Sequence, residues 1–226
     1  MANEVDICNA ALSMLGEAAN IVSVKPSDGS EMAGLCARWL PMAVRRIFEE
    51  HDWSFAQKRA KLSELAGVDA TVYGASHCYA FPSDAVRIID LYEHLPDAKV
   101  EKVDHIPIEG SPGLSLLGVA PSQWRIEFNS QNSARVIVTK VENAVARYTA
   151  YLSSPALWPQ YFIEPLTILL ASYLTGALKR QSSTSEEAIN LINQYRSSLS
   201  AAKTIDASGT RQKASRVPSS ISSRWV

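Results

Sequence analysis

His77 and Cys78 stand side by side, and a thiol next to an imidazole is the pairing from which a sulfur nucleophile is made. In an extended chain, though, neighbours point to opposite faces, so this imidazole is badly placed to take the thiol proton. His51, His77, His94 and His105 are scattered, with no i, i+4 pair to set two imidazoles on one helical face. The cysteines Cys8, Cys36 and Cys78 are odd in number, widely spaced and without a CxxC pair, which argues against a zinc site or a disulfide framework. The acid pairs Glu49/Glu50 and Glu186/Glu187 invite a glycosidase reading, but adjacent helical residues do not face each other. No GxSxG, HExxH, GxxxxGKS/T or GxGxxG stretch occurs. No catalytic residue, cofactor or metal site is therefore expected.

One stretch, "FEEHDWSFAQKRAKL" (48–62), runs from acid through two aromatics to base. Its basic end, after Trp53 and Phe55, suits a grip on nucleic acid by phosphate contact and stacking. Glu49, Glu50 and Asp52 nearly cancel that field within a Debye length. Trp53 and Phe55 are better read as a structural hinge packed into a core.

The elements that must position these residues start from bulk numbers. The chain has 226 residues, is 46% hydrophobic and 20% charged, and carries a formal net charge of −1. That suits one substantial domain or two small ones, and near-neutrality argues against general attraction to nucleic acid or membrane. The N-terminus carries early acids and no basic segment, unlike a signal peptide. "LTILLASYLTGAL" (166–178) is about half the ~20 residues a membrane-spanning helix needs. A soluble protein made in the cytoplasm is expected, with no membrane partner.

Periodicity predicts a helix over 3–16, capped by Asn3 and closed by a left-handed Gly16. A second runs from Ser30 to His51, capped by Asp28 or Ser30, and Pro41 inside it predicts a kink or break. The period then shortens. An extended piece, a proline turn and a β-branched run fill 79–93, and strands follow at 124–128, 134–141 and 145–152. Helices return over 160–180, with Pro165 moving the start toward Glu164, and over 184–203. From 204 the Ser-rich chain lacks periodicity, has one acid against four bases and ends in Arg224, Trp225 and Val226. It reads as a disordered terminus or as an arm that folds onto a partner.

The fold class that follows is α+β. A bundle of about four helices comes from 1–71 and 153–203, with an antiparallel β-rich insertion, sheet or small barrel, at 72–152 and a flexible docking tail at 204–226.

Four stretches together resemble the head-to-tail adaptors of short-tailed phages, the tail tubular protein A family. They are "ICNAALSMLGEAANIVSV", "RRIFEEHDWSFAQKRAKL", "YAFPSDAVRIIDLY" and "ARYTAYLSSPALWPQYFIEPLTILLASYLTGAL". In the second, Trp53, Phe55, Ala56, Arg59 and Leu62 stand in a Trp-x-Phe-Ala-x-x-Arg-x-x-Leu pattern. The match covers most of 5–205 and is weakest at 95–122 and after 204.

The resemblance implies a structural virion protein of the tail, made in the host cytoplasm. It implies a homo-oligomeric ring, dodecameric in related adaptors, that joins the portal protein to the tail nozzle protein. Double-stranded DNA passes through the centre without sequence-specific binding. On this reading Glu49, Glu50, Lys58, Arg59 and Lys61 meet a neighbouring subunit. Arg211, Lys213, Arg216, Arg224, Trp225 and Val226 form the portal and tail contact. The rival readings are a tail-associated cell-wall hydrolase and a nucleic-acid-binding module.

Overall fold

The computed structural model describes residues 3–93, 123–129, 133–178 and 184–209. Asn3 accepts the Asp6 amide and Asp6 returns the bond, a reciprocal cap that starts α1 (Glu4–Met14). Gly16, at φ 73°, and the Glu17 amide reaching back to Leu12 at 3.0 Å close it. Ser30 caps α2 (Glu31–Glu49) by accepting the Ala33 amide at 3.1 Å. Asp28 instead holds the preceding turn, accepting from Val22 and Ser30. Of the kink or break expected at Pro41, the break does not occur, and α2 runs through it as one helix. Cys36, Leu40, Ala43, Val44, Ile47 and Phe48 are buried on both sides of the proline, so one continuous packed face outweighs the lost backbone bond.

A 3₁₀ turn (Ser54–Ala56) leads into β1 (Gln57–Lys61). Then come β2 (His77–Ala80), β3 (Ala85–Glu93), β4 (Trp124–Asn129), β5 (Ala134–Thr139) and β6 (Ala144–Ala150). Helix α3 spans Gln160–Leu178 and α4 spans Thr184–Gly209. The molecule is thus mixed α+β, with four α-helices and two small antiparallel sheets, ordered β1-β6-β3 and β2-β5-β4, among the described residues.

The sheets recruit Gln57–Lys61, ahead of the expected β-rich segment at 72–152. Past β1 the chain crosses from one sheet to the other. The Leu62 amide donates to Ala144, the Leu65 amide to Cys78 and the Ala80 amide to Ser63. Alternate β6 residues Ala144, Ala146, Tyr148 and Ala150 pack with Ile88 and Leu91, and with Tyr79 and Ile137 of the other sheet, in one cluster.

Two boundaries move. Helix α3 starts at Gln160 rather than near Glu164, so buried Pro165 sits more than a turn inside it. Helix α4 continues to Gly209, so 204–209 belong to the helical body and not to a tail starting at 204. Residues 210–226 lie outside the described residues. By length and composition α3 passes as a membrane span, yet 56% of its most apolar window is buried inside the protein. It is the central helix of the apolar cluster that α1, α2 and α4 share.

Candidate functional site

The stretch 48–62 folds into a corner where α2 hands over to β1. Trp53 is 0% exposed, and its Nε1 donates at 2.8 Å to the Ile47 carbonyl, which the helix end itself engages only through the Glu50 amide at 3.4 Å. Its ring meets Phe162 edge-on at 5.2 Å and stacks on Tyr161 at 6.2 Å. Half-buried Phe55 packs against Phe162 at 5.2 Å, and Phe48 reaches Tyr151, just past β6, at 5.5 Å. The aromatics therefore join the helical cluster to the chain leaving the sheet.

A carboxylate sits at the centre of this corner. Asp206, near the end of α4 and 3% exposed, accepts the Ser54 amide at 3.0 Å and the Ser54 hydroxyl at 2.6 Å. Tyr161 donates to it at 2.9 Å, and His51 Nε2 lies 3.1 Å away. Burial and then the bond to Asp206 push the Tyr161 phenol up to about 12. Serine and histidine both engage the same carboxylate, so the imidazole does not stand between them to take the hydroxyl proton. The geometry anchors α4 to the start of β1.

A second polar group lies on the β1–β6–β3 sheet. Lys58 Nζ reaches Asp84 at 2.7 Å and the Tyr148 hydroxyl donates to it at 3.1 Å. Burial works to raise the Asp84 carboxyl, but these two hydrogen bonds outweigh it and hold the group below its usual value. Asp52 accepts from Arg87 Nε at 2.8 Å, and Arg147 pairs with Asp90.

Of the residues expected to meet a neighbouring subunit, Glu49 and Glu50 stand at the end of α2 and Lys58, Arg59 and Lys61 on β1. Each acid pairs one turn back in α2, Glu49 with Arg45 and Glu50 with Arg46, both at 3.2 Å. Lys58 is taken up by Asp84. Arg59 and Lys61 are exposed on edge strand β1, with no ion-pair partner among the described residues. Arg59 lies directly opposite Arg147 of β6. Trp53 and Phe55 stand at the junction itself. Arg211, Lys213, Arg216, Arg224, Trp225 and Val226 lie outside the described residues.

Sequence reasoning missed Asp206, Ser54, Tyr161 and Asp84. One signal was present for Asp206. Buried Leu191, Tyr195, Leu199 and Ala202 follow three-and-four spacing along α4, and Asp206 is the next step on that stripe. A charge on an apolar stripe calls for a partner. No group of three or more His, Cys, Asp or Glu near enough to hold a metal occurs among the described residues. No protein-family model matches the chain, and no curated protein matches it.

Proposed function

We propose that this chain is a structural virion protein, a ring-forming head-to-tail adaptor of a short-tailed phage. It joins portal to tail nozzle and forms part of the channel for double-stranded DNA. The β region is a small barrel-like insertion on the helical bundle, and the C-terminal segment is the arm that docks on the portal.

The observation that carries this reading is the corner. In the stretch that resembles the family's helix-closing pattern, Trp53, Ala56 and Leu62 are buried, Phe55 is half-buried and Arg59 is exposed. Each residue type thus has a physical reason to be where the pattern has it. A closed head-to-tail ring needs two different, complementary patches on each subunit. Arg59 and Lys61 on β1 are one patch, free to meet a neighbour's acids. Glu49 and Glu50 at the end of α2 are the other, exchanging their internal arginines for the neighbour's bases on assembly. Edge strands carrying such charges resist unspecific strand pairing, which leaves the side chains to choose the partner.

The experiment is a mass measurement by sedimentation of the chain mixed with portal. Reversing Arg59→Glu and Lys61→Glu together is expected to abolish the ring while leaving the protein folded, and adding Glu49→Lys and Glu50→Lys should restore it. A reversed variant that assembles as the unaltered chain does would remove the basis for the reading. A truncation that tests the docking arm must start at residue 210, because Asp206 belongs to the core.

A further inference from the structure

Helices α1 and α3 leave a groove of about 390 Å³ between them, bordered on one side by α4. Its floor is apolar. Ile7 of α1 and Ile163 and Ile168 of α3 are buried, and Met14 adds a thioether side chain that is 39% exposed. Asp6 and Glu164 stand at the rim, one from each helix, and no lysine, arginine or histidine lines the groove. Asp6 is engaged in the cap of α1, where it accepts the Asn3 amide. Glu164 is exposed and in no ion pair among the described residues. The volume suits one bulky side chain. An apolar floor between two acids fits an aromatic carried among bases.

The chain itself carries such a segment. Residues 210–226 hold Arg211, Lys213, Arg216 and Arg224, no acid, and one aromatic, Trp225. The segment also starts in the right place. Helix α4 ends at Gly209, just past Asp206, and Tyr161 donates to Asp206 at 2.9 Å. Tyr161 precedes Glu164 by about one turn of α3. The stretch from Gly209 to Trp225 can span up to about 55 Å when extended, while the groove follows α3 from Gln160 to Ile168, roughly 12 Å. Reach sets no limit.

We propose that this groove is the docking site of the same chain's 210–226 segment, with Trp225 filling the apolar floor and Arg224 facing Glu164. Neighbours in an extended stretch point apart, so a tryptophan turned into the floor leaves the arginine before it at the rim. Tethering favours the chain's own groove over a neighbour's, because a flexible connection holds the tryptophan at an effective concentration on the order of millimolar. The proposal goes beyond the adaptor reading and does not rest on it. It concerns the free chain, and a portal that takes the arm must draw it out of the groove.

The test is nuclear magnetic resonance on the full chain, with indole nitrogens and methyl groups labelled and no portal present. Trp225 is identified by the indole signal that Trp225→Ala loses. The expected result is contact between that indole and the methyls of Met14, Ile163 or Ile168, unchanged on about tenfold dilution. Glu164→Arg should abolish the contacts and move the signal to the position of free tryptophan, and adding Arg224→Glu should restore both. An indole signal already at the free position in the unaltered chain would overturn the proposal. So would contacts with another surface, or contacts that fade on dilution, as a neighbour's segment would give. Contacts that persist in Glu164→Arg would overturn the pairing with Arg224. The spectrum of the unaltered chain decides the docking even where a variant fails to fold.

Discussion

The α2–β1 corner and the sheet seam beside it are both organised around a carboxylate, yet the two are built to different physical effect. Asp206 is 3% exposed and gathers a backbone amide, two hydroxyls and an imidazole from three residues in two other parts of the chain. The Asp84 side chain is 37% exposed and takes one lysine and one tyrosine hydroxyl. In the dry corner each bond is strong and each missing bond leaves a buried group unsatisfied. In the seam, water and salt stand in for whatever is removed. Similar-looking polar contacts therefore carry unequal weight, and burial sets the difference.

Substitutions should reproduce that ranking. Trp53→Ala removes the ring that fills the corner and is expected to destabilise by about 3–5 kcal/mol, read from denaturant unfolding. An unchanged unfolding midpoint would put the ring outside the core. Asp206→Ala should follow at about 2–4 kcal/mol, because the Ser54 amide and Tyr161 hydroxyl lose their acceptor in a buried setting. A loss below 1 kcal/mol would erase the contrast between the two regions.

Asp84→Asn belongs to the seam and should cost no more than about 1 kcal/mol, shrinking further at high salt. Its pH dependence has a definite sign. A carboxyl held below its unfolded value contributes stability that is present above the unfolded value and lost as pH falls through the folded one. Melts from neutral to acid pH should show unaltered protein and Asp84→Asn converging at the acid end.

The smallest effect is expected at Asp28, in the turn before α2. Hydrogen bonds led by the Val22 amide lower it from 3.8 to about 2. The turn should hold at neutral pH and loosen as pH drops from 3.8 toward 2, which amide exchange at Val22 and Ser30 would report. Loosening that begins near neutrality would assign the turn to some other group.

Much of the fold was legible because it depends on neighbours in sequence. Asn3, Gly16 and Ser30 marked helix ends through local hydrogen bonds and backbone freedom. Alternating Trp124, Ile126 and Phe128 marked β4 as a strand, although Ile126 and Phe128 are exposed rather than packed inward, and the aromatics of 48–62 marked a packed junction. The candidate site was less legible. Gln57–Lys61 has no apolar alternation, and it is a strand because β6 offers it a ladder from Val145 to Thr149. Glu49 and Lys58, read from the sequence as meeting a neighbouring subunit, each have a partner within their own chain, Arg45 and Asp84.

By itself the amino-acid sequence determined the helices, most of the strands and the burial of Trp53, since apolar period and capping act over a few residues. Only the tertiary structure decided that β1 forms, that Pro41 leaves α2 unbroken and that α4 outlasts its expected end. It alone placed Asp206, whose partners Ser54 and His51 lie 152 and 155 residues away along the chain. A local pattern carries no record of such distances, because the free energy that places a buried carboxylate exists only once its donors have been brought around it.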